Sequence, residues 1–154
     1  DESISILDDD DYYSKNWLER AMHSLKEFGK DSILHPEMVL NFGTVHVYAW
    51  QMDQLCKYYD ENGLLTGNYW TSWTFAHSDT YKRNPYIETN PMKTGFGFED
   101  WHWNCETIAN GFNHRTVSGT VAFYRRKHSS LLASSSNVKA IMPASKLFEK
   151  ECIK

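Results

Sequence analysis

The chain lacks most of the short motifs that announce a chemistry. Its three cysteines, Cys56, Cys105 and Cys152, stand far apart. That is neither a disulfide framework nor a CxxC zinc pair, and it fits a reducing compartment such as the cytoplasm. The seven histidines contain no HExxH pair and no His-x-His, so spacing offers no metal site. No P-loop and no GxSxG elbow occurs, and Gly95-Phe96-Gly97 lacks the strand-before, helix-after setting of a dinucleotide fingerprint. No cofactor is therefore expected. No run of eighteen apolar residues exists, which argues against a membrane span, and the start at Asp1 does not resemble a signal peptide. The bases form no stripe, which argues against nucleic acid as a partner.

What is present is aromatic. Six Trp, nine Tyr and eight Phe make 15% of 154 residues, a load that must line a core, a pocket or an interface. With 41% hydrophobic and 23% charged residues, the chain is long and apolar enough for one buried core. Charge is uneven. Residues 1–11 (DESISILDDDD) carry six acids and no base, while residues 125–154 carry seven bases and two acids. The acidic start is read as a flexible arm, residues 1–11, ahead of a single domain, 12–154. The net charge of −4 then belongs to the arm.

Periodicity supplies the elements. Tyr13, Trp17, Ala21, Leu25 and Phe28 recur at steps of four or three, which predicts a helix over 14–28 stopped by Gly29. Met38 to Phe42 reads as a short strand, and Thr44 to Tyr48 as extended. Met52, Leu55, Cys56 and Tyr59 predict a second helix over 50–62. Beyond it the period becomes two. Tyr69, Trp73, Phe75 and His77 share one strand face. A loop from Asp79 to Phe96 carries two prolines and has the length of a lid. A strand over 96–108 slips parity near Glu99-Asp100, the mark of a β-bulge. Asn110 to His114 is a turn, Val117 to Tyr124 a third long strand, and Val138 to Met142 a fourth. A helix is expected to close the chain after Pro143, through Glu151. The only low-complexity runs are Asp8–Asp11 and Ser129–Ser136. Helices first and strands afterwards give an α+β domain, with N-terminal helices packed on one face of a curved, mainly antiparallel sheet.

Four phrases carry a family resemblance: HPEMVLNFG (35–43), YAWQMDQLCKYYDE (48–61), SGTVAFYRR (118–126) and IMPASKLFEK (141–150). In pattern they resemble the loop and strand, the following helix, the penultimate strand and the closing segment of the NTF2-like or SnoaL-like superfamily. That resemblance implies a cone-shaped cavity between sheet and helices, and a homodimer. It implies either a small-molecule isomerase, cyclase or dehydratase, or a non-catalytic binding domain. One departure is plain: Leu40-Asn41-Phe42 has no carboxylate where the isomerase-like members carry their base.

The densest candidate chemistry is Asp100-Trp101-His102-Trp103-Asn104. On a strand, Asp100 and His102 point the same way, and a carboxylate beside an imidazole can orient it as a general acid/base. Tyr48, Trp50, Tyr69, Trp73, His77 and Trp103 are the candidate pocket residues, suited to a planar or polycyclic ligand. The expectation is a cofactor-independent enzyme that moves a proton on a hydrophobic small molecule, with the loop 79–96 as its gate. The alternative is a non-catalytic domain that binds a ligand or a protein.

Overall fold

The computed structural model describes residues 2–128 and 135–149. Cys152, Glu151 and most of the serine run lie outside them. Two long strands organise the rest. β3 (Ser32–Gly43) and β6 (Asn113–Arg126) run parallel, paired from Ser32↔Asn113 to Gly43↔Arg126. β6 is the expected third long strand, extended at both ends. β3 reaches back through His35-Pro36, which reads as a break because proline has no N–H to give a ladder. The cost of Pro36 is visible as a register shift between Pro36 and Met38. There β6 carries Gly119 at φ 70, a conformation glycine adopts without penalty.

The other strands pair antiparallel. β4 (Val47–Trp50) and β5 (Thr74–His77) follow one another along the free edge of β3. β1 (Ser3–Ile6) adds to β5, and β2 (Tyr12–Tyr13) adds to β6. The result is a curled, mixed six-stranded sheet in an α+β molecule. Where a flexible arm was expected, the acidic start is thus built into the sheet. Asp11 accepts the Arg125 backbone N–H at 2.7 Å and the Trp73 indole N–H at 3.2 Å. Asp8 accepts the Ser72 hydroxyl at 2.9 Å, and Asp10 pairs with Lys127.

Helix α1 (Trp17–Phe28) forms as its spacing predicts, with Trp17, Ala21 and Leu25 buried against Leu34, Phe75 and Val117. It begins three residues late. Ser14 is bonded to β6 instead: its N–H donates to the Val121 carbonyl, and its hydroxyl accepts the Val121 N–H. Tyr13 therefore sits in β2 rather than on the helix.

The predicted second helix is absent. Residues 51–60 run in turns and end in a 3₁₀ helix, Glu61–Leu65. Their polar side chains bond backbone elsewhere, which competes with helix formation. The Gln51 carbonyl accepts the Thr71 N–H and its amide donates to the Pro36 carbonyl. The Gln54 carbonyl accepts the His114 N–H. The Asp53 carboxylate takes the Arg115 guanidinium at 2.9 Å. The expected strand over 69–78 keeps only Thr74–His77. The expected loop 79–96 holds two short helices, α2 (Ser78–Arg83) and α3 (Pro91–Thr94).

The largest correction is at 96–108. This segment is helix α4 (Glu99–Ala109), not a bulged strand. Trp101, Cys105 and Ile108, at i, i+4 and i+7, pack with Leu64, Trp70 and Leu147. Trp103 packs the other way, with Ile33, Ala76 and Phe112. A helix buried on two sides places large residues on both, and these mimic alternation. Adjacent strand residues divide between the helices. Leu34 and Phe75 face α1, whereas Ile33 and Ala76 face α4. The helices thus cover opposite faces of the sheet, where one-face packing was expected. After α4, the Asn110–Gly111 turn leads into β6. The fourth strand reduces to one bridge, Ile141 to Phe96. A 3₁₀ turn, Lys146–Phe148, stands in for the closing helix.

Candidate functional site

On the α4 side, the helix covers only the first part of β3 and β6. Further along, the ladder sets Val39 beside Ala49 and Ala122, and Asn41 beside Tyr124. These residues floor an open cleft of about 740 Å³. The start of α4, from Phe98 to Trp101, forms one wall, and residues 68–72 another. Asp8 to Asp11 and Arg125 to Lys127 close the end.

Asp100 is the cleft's titrating group. Burial pushes its carboxyl up to about 6, against the lowering effect of backbone N–H groups and the Asn68 amide. Neighbouring Glu99 adds repulsion in the same upward direction as burial. The Asn68 amide donates to Asp100 at 3.2 Å, and its oxygen accepts the Asn104 amide at 3.0 Å. One asparagine thus fixes the carboxylate from a chain of two amides. Phe98, just ahead of α4, stands at φ 61. A bulky residue in the left-handed region is strained, and such strain gathers at functional sites.

Of the residues expected to act, Asp100 and Tyr69 line the cleft, and Trp50 reaches its rim from β4 with its side chain on the opposite sheet face, beside Met38. The Asp100–His102 dyad is not assembled. On a helix, residues i and i+2 lie about 200° apart, so the two side chains diverge. His102 is buried outside the cleft, with Nε2 3.3 Å from the Ala144 carbonyl and 4.0 Å from the Glu106 carboxylate. It ties α4 to the C-terminal segment, where Glu106 also accepts Ser145 and Lys146. Trp73 is fully buried, its indole spent on Asp11. Trp103 is core, stacked between Tyr81 at 5.6 Å and Tyr86 at 4.8 Å. His77 caps α2, its Nδ1 accepting the Asp79 N–H. Tyr48 points away from the cleft, beside Leu40 on the opposite sheet face. Asn68, Phe98, Tyr124 and Arg126 complete the site without any signal in the local pattern.

A second polar cluster is sealed in the core. His35 Nδ1 lies 2.9 Å from the Trp73 carbonyl, His35 Nε2 is 2.8 Å from His114 Nδ1, and His114 Nε2 is 2.8 Å from the Thr107 hydroxyl. A carbonyl only accepts, so His35 carries its proton on Nδ1 and accepts at Nε2. His114 must then donate from Nδ1 and accept the Thr107 hydroxyl at Nε2. The chain is fully satisfied with both rings neutral. Burial accordingly drives His35 down to about 3 and holds His114 well below the ordinary histidine value. Trp70 stacks on His114 at 4.3 Å.

Among the described residues no cluster of His, Cys, Asp or Glu is placed to hold a metal ion, and no helix is long and apolar enough to cross a membrane. No family model, no curated protein and no solved structure matches the chain.

Proposed function

We propose that the cleft binds a small molecule and moves a proton on it without a cofactor, as an isomerase, cyclase or dehydratase does. Asp100 is the general acid/base and Asn68 its orienting partner. The observation that carries this reading is the Asp100 carboxyl itself: it faces a cleft, and it titrates near about 6, where a group both accepts and gives protons at neutral pH. Aromatic walls from Tyr69 and Trp101 suit a planar substrate body. The scaffold is proposed as a variant of the NTF2-like cone. The curled sheet, α1 and the cleft beside α4 support that, although the family's helix over 48–61 has no counterpart here.

The test is solvent deuterium incorporation into a panel of cyclic ketones and keto acids, followed by NMR. The wild-type protein should exchange an acidic C–H, with a rate that rises through about pH 6. Asp100→Asn should lose that exchange while keeping its fold. Equal exchange by the variant, or none by the wild type across the panel, would sink the reading.

A binding role for the opposite face has its own observation. Tyr48, Leu40, Phe123 and Tyr12 form one row across four strands, with Trp50, Met38 and Val121 beside it. Among the described residues no helix covers this row, and Tyr48 is 67% exposed. Its neighbour Arg125 is held between Tyr12 and Phe42. The row itself is apolar, and the one cation at its end, Arg125, is already held by two aromatic rings, so we propose a homodimer through this face. Sedimentation should show a dimer that Tyr48→Glu turns into a monomer. A monomeric wild type would refute it.

A further inference from the structure

The cleft contains six carboxylates, yet its best-placed cation pairs with none of them. Arg126 Nε donates to Asn41 Oδ1 at 2.6 Å. Asn41 is buried, 6% exposed, and its own amide is tied to the Val47 carbonyl. The guanidinium lies over the Tyr124 ring, 4.9 Å from its centre. Among the described residues Arg126 has no ion pair. The other charges at that end are differently placed. Lys127 is taken by Asp10, and Arg125 turns to the opposite face between Tyr12 and Phe42. Asp11 is bonded to the Arg125 N–H and the Trp73 indole.

A neutral amide orients a guanidinium without cancelling its charge. The terminal nitrogens keep their fork geometry, which matches a carboxylate. The Tyr124 hydroxyl makes no hydrogen bond within the described residues, and both side chains line the cleft. Burial raises the Tyr124 phenol against the opposing charge of Arg126, so the hydroxyl keeps its proton as a donor.

We infer that Arg126 and Tyr124 form an anion subsite on the cleft floor, and that the ligand is a planar ring bearing a carboxylate. The inference rests on the cleft being the ligand site. Arg126 takes the carboxylate, Tyr124 adds a hydroxyl donor, and the ring lies against the aromatic wall with its far side toward Asp100. The competing expectation is a cationic ligand, since acids outnumber bases around the cleft. A direct charge-assisted contact outweighs acids that are already hydrogen-bonded or screened by water.

Three probes that share a ring and differ in the charge of the tip decide the matter: benzoate, benzamide and benzylammonium. Binding is read from NMR shifts of the full chain. Benzoate should bind about tenfold more tightly than either other probe, as one charge-assisted contact gives. Arg126→Gln should erase that preference, and Arg126→Lys should restore part of it. Tyr124→Phe should weaken benzoate a few-fold and leave benzamide unmoved. Equal or tighter binding of benzylammonium, benzoate affinity unchanged in Arg126→Gln, or no benzoate binding at millimolar concentration would each overturn the assignment. Asp100→Asn separates the two readings: it should abolish deuterium exchange yet retain benzoate. If benzoate binds with the stated preference and exchange is absent, the subsite stands and the acid/base role falls.

Discussion

Asp100 is pulled two ways. Its place in the first turn of α4 sets the carboxylate at the positive end of a helix dipole, which favours the ionised form. Burial opposes this and prevails, raising the group to about 6. A carboxyl whose folded value lies above its unfolded value of 3.8 destabilises the fold once it ionises. Stability from this group is full below 3.8 and is lost as pH rises through about 6. Asn keeps the oxygen that accepts from Asn68 and has no charge to bury. Asp100→Asn should therefore stabilise the protein by about 1–3 kcal/mol at pH 8 and by almost nothing at pH 4. Urea denaturation at the two pH values checks this. An equal gain at both would show that packing, not ionisation, is responsible. A site that lowers stability in its working state is the usual trade between stability and activity.

Single elements were legible where one physical demand acted alone. α1 buries one stripe, so Trp17, Ala21 and Leu25 declare a helix without reference to the rest of the fold. β6 alternates along its second half and was equally clear. α4 was not, because two demands overlap there. One side meets Trp70 and Leu147 and the other meets Ile33 and Phe112, so its large residues appear at every second position. Residues 50–62 fail in the opposite way. Their apolar spacing is helical, but Gln51, Asp53 and Gln54 are committed to Thr71, Arg115 and His114, partners 20 to 62 residues away. The site follows the same logic. Asp100 and Tyr69 could be singled out by residue type. Arg126 could not, because its meaning lies in Asn41, which is 85 residues distant. Asp100 and His102 part because i and i+2 agree on a strand and diverge on a helix.

The whole molecule is organised around the parallel pair β3–β6, and its two central histidines sit on that pair. Ile33↔His114 and His35↔Thr116 bring the rings together, and Trp70 and Trp103 shield them. Among the described residues no acid faces the pair: the ring nitrogens meet the Trp73 carbonyl, each other and the Thr107 hydroxyl. Protonating a ring leaves a charge sealed from water with no carboxylate to pair it, and burial alone makes that costly. In the unfolded chain each histidine gains its proton near the ordinary value of 6.5; in the fold His35 waits until about 3, and His114 also until far below 6.5. Stability is thus full above 6.5 and falls as pH drops below it. Each histidine removes about 1.4 kcal/mol per pH unit over that window. Asp100 works in the other direction between about 6 and 3.8 and offsets roughly one histidine. The expected net loss is about 1.4 kcal/mol per pH unit from pH 6 to pH 4, superimposed on one cooperative transition. His35→Gln, which can still donate to the Trp73 carbonyl, removes one of the two titrations and should flatten this slope. Urea midpoints measured from pH 7 down to pH 4 test it. A wild-type midpoint that holds constant over that range would mean that the two rings take up protons without opening the core.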